Sequence, residues 1–113
     1  MEEQELQKIK TLYQALVKIQ RFTEDIKNPQ ELIDNPLIWD AVKMNLVLVA
    51  EMDAKISPEL KQKFNSVDWY KIEENKPNLI SKFLGFDVEE VWKAIHEKLP
   101  EFKKQLEEVL EKE

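Results

Sequence analysis

Apolar residues recur every three or four positions over the first quarter of the chain, which is the pattern of an amphipathic helix. The pattern predicts one long helix from Glu3 to about Lys27. This helix should end near Asn28-Pro29, because the residue before a proline is pushed out of the α region. A further helical turn is predicted from Gln30 to Ile33. The first apolar stripe consists of Leu6, Ile9, Leu12, Leu16, Ile19, Phe22 and Ile26.

A second long helix is predicted to begin at Pro36, with Asn35 as its N-cap, because proline lacks the N–H group that would have no partner there. Its predicted inward stripe carries the amide of Asn45 in the middle of an apolar face. Trp39 lies one step off this stripe and is the preferred candidate for an intermolecular contact. The predicted stripe consists of Ile38, Ala41, Val42, Asn45, Leu48, Val49, Met52 and Ile56.

Shorter helices are predicted in the second half of the chain. Ser57 and Pro58 mark the start of a helix that runs to about Asn65. A short element is expected over residues 69–72, and another helix over 78–84, closed by Gly85. Asp87 caps the next helix, with Glu90 three residues later, and Pro100 is predicted to start the last one. The elements together predict an all-α bundle in a single domain, residues 1–113.

Composition removes most kinds of catalytic site. The chain has one glycine and no cysteine, which excludes glycine-rich phosphate loops, thiolate metal sites, disulfides and cysteine nucleophiles. His96 is the single histidine, so the paired imidazoles of most zinc and iron sites cannot form. Only an all-carboxylate metal site remains arguable on these grounds, and no cofactor and no metal are expected. His96 itself is interpreted as a surface or capping residue.

Charge and hydropathy limit the expected partners. The net charge is −6, which opposes long-range attraction of nucleic acid or anionic lipid. No segment approaches the roughly 20 apolar residues of a membrane span, and the acidic start differs from a secretory signal. We therefore expect a soluble, cytoplasmic protein without membrane contact. Trp69 and Trp92 are expected to be core or interface anchors.

A family resemblance rests on the order and spacing of short strings along the chain. These strings are Asp40-Ala41-Val42, Asn45-Leu46, Ala50-Glu51, Leu60, Asp68 to Ile72, Leu79, Gly85-Phe86-Asp87, Val91-Trp92 and Leu99-Pro100-Glu101, with a looser match at Leu32 to Asn35. Through them the segment from Asp40 to Leu110 resembles the HepT-like family, the toxin half of HepT–MNT toxin–antitoxin pairs in the HEPN superfamily. The resemblance implies a HEPN-like helical bundle that forms a homodimer and binds a minimal nucleotidyltransferase.

The family's catalytic signature, RxxxxHxY, falls on residues that differ at all three positions. Counting back from Gly85, the signature's Arg is Lys76, its His is Ser81 and its Tyr is Phe83. The resemblance implies a metal-independent ribonuclease in which Arg and His help the ribose 2′-OH attack the adjacent phosphate. Imidazole accepts a proton near neutral pH, but a serine hydroxyl does not. In that family the partner nucleotidyltransferase attaches AMP to the Tyr of the signature. The resemblance therefore implies that Phe83 removes the AMP acceptor.

The first interpretation is therefore a HepT-like protein that keeps its fold, dimer surface and partner surface but has lost ribonuclease activity, with RNA binding not favoured. The second is an active ribonuclease in which Lys76 contacts phosphate and Asp40 or Glu51 is a base whose pKa is raised by burial. In the third, the chain is a generic helical interaction protein that shares only ancestry with the family. Asn45 is interpreted as a residue that satisfies buried backbone or a dimer mate.

Overall fold

The computed structural model describes residues 2–69 and 87–112, and all of the regular structure in these two ranges is helical. The predicted all-α architecture is confirmed. The helices are α1 (Glu3–Thr23), α2 (Pro29–Ile33), α3 (Pro36–Lys55), α4 (Pro58–Lys63), α5 (Val88–His96) and α6 (Lys98–Glu111).

Side-chain caps begin four of these helices, and three of the caps were predicted from the sequence. The side chain of Asn35 accepts a hydrogen bond from the backbone N–H of Ile38 at 3.2 Å. Ser57 accepts one from the N–H of Leu60, also at 3.2 Å. Asp87 begins α5 in the same way, and Asn28 caps α2. These bonds satisfy N–H groups that have no partner within their own helix.

Three helix boundaries differ from the prediction, and one of them is the end of α4, at Lys63 rather than near Asn65. Helix α1 ends at Thr23 rather than near Lys27. The buried hydroxyl of Thr23 donates a hydrogen bond to the carbonyl oxygen of Ile19 at 2.8 Å, and such local bonds compete with continuation of a helix. Helix α6 begins at Lys98, so Pro100 lies within its first turn. Proline is tolerated there because the first N–H groups of a helix have no intrahelical partner.

The core lies where α1 packs against α3 and α6, while α2 contacts α3 and α5, and α5 packs against α6. Trp69 is buried in this core, as predicted. Its indole N–H donates a hydrogen bond to the carbonyl oxygen of Phe64 at 2.9 Å. Its ring meets the ring of Phe102 edge to face, with 5.9 Å between centroids. The α6 core residues are Leu99, Phe102, Leu106 and Val109.

The inward face of α3 is rotated by about one residue from the predicted stripe. Trp39 is only 8% exposed, so the prediction that it makes an intermolecular contact is wrong. The ammonium of Lys43 lies 5.1 Å from the centroid of the Trp39 ring. Helix α3 is apolar around most of its circumference, and such a pattern does not fix which side faces inward. The buried residues of α3 are Trp39, Val42, Leu46, Val49, Ala50 and Asp53.

Of the element predicted over residues 69–72, only Trp69 is among the described residues, and the helix predicted over 78–84, with Gly85, lies outside them. Among the helices of 2–69 and 87–112, none is both long enough and apolar enough to cross a membrane.

Candidate functional site

Lys76, Ser81 and Phe83, the residues predicted to stand at the signature positions, lie outside the described residues, whereas both flanks of the segment that contains them are described. The upstream flank ends at Trp69 and the downstream flank resumes at Asp87. The geometry of these flanks shows how the fold holds the two ends of the signature segment.

The upstream flank is fixed to α6 by a reciprocal pair of hydrogen bonds. The backbone N–H of Asp68 donates to the side-chain oxygen of Gln105 at 2.9 Å. The amide nitrogen of Gln105 donates in return to the carboxylate of Asp68 at 3.2 Å. With Trp69 buried next to this pair, the chain enters the signature segment from a position set by α6.

The downstream flank is fixed by the start of α5. The Asp87 carboxylate accepts hydrogen bonds from the N–H groups of Glu89 at 2.9 Å and Glu90 at 3.4 Å. Carboxylates in the first turn also suit the positive end of the helix dipole. Val91 and Ile95 then bury the inner face of α5. The helix start therefore sets the point at which the chain leaves the signature segment.

His96 lies at the end of α5 and is exposed, as predicted. Its Nδ1 is 2.9 Å from the carbonyl oxygen of Trp92. The two rings are 4.2 Å apart between centroids, and Trp92 is half-buried. This contact holds the imidazole against its own helix, which is the surface role expected for it.

The three polar residues proposed to support the site all lie on α3. Asp40 has a 75% exposed side chain and pairs with the ammonium of Lys43 at 3.4 Å. Glu51 is also exposed, so within this chain neither carboxylate has the burial required for it to act as a base in the second interpretation. Asn45 is half-buried, and its amide donates to the carbonyl oxygen of Ala41 at 2.8 Å. This is a local bond within α3, to the carbonyl four residues earlier.

The sequence analysis missed one charged residue in the core. Asp53 on α3 is fully buried, and its carboxylate oxygen Oδ2 lies 3.5 Å from the ammonium of Lys61 on α4. A buried carboxylate is costly unless it is paired and hydrogen-bonded. The pair therefore ties the short helix α4 to the end of α3. The sequence pattern did not predict that Asp53 is buried, because the inward stripe predicted for α3 did not include it.

Tyr13 links α1 to α6 through Glu107. Its hydroxyl donates to the Glu107 carboxylate at 2.7 Å, and Lys103 contacts the same carboxylate at 3.3 Å. The hydrogen bond to Glu107, with some burial, raises the pKa of Tyr13. The bonds from Tyr13 and then Lys103 lower the pKa of Glu107. At neutral pH the phenol therefore remains protonated and committed to this contact.

Comparison with known proteins gives matches over most of the chain. The family model described as ribonuclease HepT-like matches residues 12–109. A Methanocaldococcus jannaschii protein named as a "Putative RNase" is 34% identical over 86 residues, which cover 76% of this chain and 78% of the relative. A Caldanaerobacter subterraneus subsp. tengcongensis protein, also named as a "Putative RNase", is 26% identical over 84 residues, which cover 74% of this chain and 75% of the relative. No solved structure gives a significant match.

Proposed function

Because the chain belongs to the ribonuclease HepT-like family of the HEPN superfamily, we propose that it is a toxin–antitoxin protein of this family that has lost ribonuclease activity. It acts by forming a homodimer and by binding a minimal nucleotidyltransferase partner. The proposed place of action is the cytoplasm. The proposal rests on the spacing from Gly85, by which the family's signature positions for Arg, His and Tyr fall on Lys76, Ser81 and Phe83.

The lost activity follows from what each replacement can do. Lys76 keeps a positive charge but lacks the planar fork with which arginine binds two phosphate oxygens. Ser81 has a hydroxyl that cannot take up a proton near neutral pH without a neighbouring base. Phe83 keeps an aromatic ring and lacks the phenol. Together these three side chains still attract phosphate, but none of them can transfer a proton at neutral pH.

The retained scaffold supports a binding role. The buried Trp69 and the Asp68–Gln105 pair lie directly before the signature segment, and the Asp87 cap lies directly after it. These contacts hold the flanks of the segment although its catalytic side chains have changed. HEPN family proteins commonly dimerise, which supports a homodimer as the form that binds the partner.

The test of lost activity is incubation of the purified protein with tRNA and with a mixed RNA pool, without added metal and with a chelator present. We expect no cleavage above that of a mock purification from cells that lack the gene, because no residue at the signature positions moves a proton at neutral pH. Cleavage that co-purifies with the protein and disappears in Lys76→Ala would contradict the proposal and favour an active enzyme with substituted residues.

AMP transfer to the chain is expected to fail for lack of an acceptor. Phe83 has no hydroxyl, and the phenol of Tyr13 is half-buried and bonded to Glu107. The measurement is intact-protein mass spectrometry after incubation with ATP and a family nucleotidyltransferase, whose own HepT-like partner is the positive control. Phe83→Tyr is expected to gain AMP. Modification of the wild-type chain at Tyr13 or Tyr70 would contradict this prediction.

A further inference from the structure

Helix α1 presents a basic face to the solvent, on the side opposite its buried residues. Lys10, Gln14, Lys18 and Arg21 are all exposed, and together they form the cationic face. From residue 6 to residue 23 the chain has four basic residues and no acidic one. The net charge of the whole chain is −6, so the cationic face differs in sign from the molecule as a whole.

The lysines of the cationic face lack the carboxylate partners that the other lysines have. In the described parts of the chain, each of the other lysines has a carboxylate three or four residues away along the chain or in contact with its ammonium. Lys43 and Asp40 form such a pair on α3. Lys10 and Lys18 have neither kind of partner among the described residues, and Arg21 forms no ion pair with them. These cations therefore keep their attraction for carboxylates of another molecule.

The spacing of the cationic face suits a sparse row of carboxylates. Lys10 and Arg21 are eleven residues apart, which is about three helical turns or roughly 16 Å, so they lie along one line of α1 with Gln14 between them. Lys18 lies beside that line. A nucleic-acid strand carries a phosphate about every 3.4 Å of helix axis, which is more negative charge than three cations can neutralise over this length. A protein helix with acidic residues two or three turns apart matches the observed spacing.

Phe22 adds an apolar contact at the edge of the cationic face. Its side chain is 38% exposed, and it lies one helical turn after Lys18 and next to Arg21. Aromatic residues and arginine are enriched in protein–protein interfaces. Beside the face on the opposite edge, the ammonium of Lys103 already lies over the ring of Tyr13, 5.8 Å from its centroid. The face thus offers one aromatic anchor for a protein side chain, rather than a series of rings on which successive bases stack.

We infer that the cationic face and Phe22 bind an acidic segment of a partner protein. Carboxylates of the segment lie against Lys10, Lys18 and Arg21. An apolar side chain covers Phe22, and the amide of Gln14 forms a hydrogen bond with the segment. The net charge of −6 repels a long polyanion more strongly than a segment with few charges. The inference goes beyond the proposed function and does not depend on it, since no signature residue belongs to this face.

The first experiment follows the isotope-labelled full chain by NMR during titration with a helical peptide of alanine and glutamine. The peptide carries three glutamates, two and three turns apart, and one leucine on a single face. A control peptide has the same composition, with the glutamates spread around the helix. The spaced peptide is expected to shift the amide signals of α1 and to bind about fivefold more tightly than the control peptide, because only its charges meet those of the cationic face together. A four-nucleotide oligouridine, which matches its charge, should shift these signals less.

Charge reversal in the double variant Lys10→Glu with Arg21→Glu is expected to weaken binding of the spaced peptide by about tenfold or more, because two attractions become repulsions. Lys93→Glu with Lys104→Glu is the matched control, since it changes the net charge equally at exposed positions of α5 and α6. It should bind as the wild type does. Lys10→Gln with Arg21→Gln removes the charges without adding repulsion and should bind with intermediate affinity. Helical circular dichroism should be unchanged in all three double variants.

Several results would overturn the inference. Equal affinity for the spaced and control peptides would mean that the face attracts negative charge without matching its spacing. The absence of amide shifts in α1, or equal weakening by the Lys93→Glu with Lys104→Glu control, would show that the cationic face is not the binding surface. Larger shifts with oligouridine would assign the face to nucleic acid. RNA cleavage by the wild type would refute the proposed loss of activity and leave this inference unaffected.

Discussion

Restoring the signature by Lys76→Arg, Ser81→His and Phe83→Tyr together is expected to raise RNA cleavage by about a hundredfold or more over the wild type, since positioned general acid–base catalysis typically contributes at least that much. The arginine provides a planar group that binds two phosphate oxygens. The imidazole provides a proton acceptor near neutral pH. The measurement is cleavage of end-labelled tRNA in chelator at several protein concentrations, read on denaturing gels.

The matched control keeps the arginine and tyrosine but carries Ser81→Ala, so that only the imidazole is missing. This control should remain as inactive as the wild type. Equal activity in the restored variant and the control would show that the imidazole is not the decisive group. A folded, dimeric restored variant without activity would show that the site has lost more than the three signature side chains.

Lys61→Met is expected to lower the free energy of unfolding by about 3 kcal/mol, the lower part of the range for removing one partner of a buried ion pair. The ammonium of Lys61 lies 3.5 Å from the fully buried carboxylate of Asp53. Removing that positive charge takes away an attraction that offsets the free-energy cost of burying the carboxylate. The measurement is urea unfolding followed by circular dichroism at neutral pH.

Gln62→Met is the matched control on α4, because Gln62 is exposed and surface substitutions usually change stability by no more than about 0.5 kcal/mol. The double variant Asp53→Leu with Lys61→Met should recover much of the loss, since apolar replacements often substitute well for a buried pair. A Lys61→Met protein as stable as Gln62→Met would mean that the pair contributes nothing to the packing of α4.

The candidate site is predicted from residue types at fixed spacing, and the three residues on which it rests lie outside the described part of the chain. Counting from Gly85 gave Lys76, Ser81 and Phe83, and the chemistry of those side chains predicts the lost activity without coordinates. The roles of Asp40 and Glu51 depended instead on burial. Both carboxylates are exposed in the folded chain, and this exposure depends on the phase of α3, which packing against the neighbouring helices sets.

The residue pattern was enough to place the start of most helices, because caps such as Asn35, Ser57 and Asp87 act within three residues of their position along the chain. It also determined the all-α class and the family. Tertiary structure decided the phase of α3, and with it the burial of Trp39 and Asp53 and the outward placement of Met44. The physical reason is that a helix with apolar residues around most of its circumference has no preferred inward side until its neighbours pack against it.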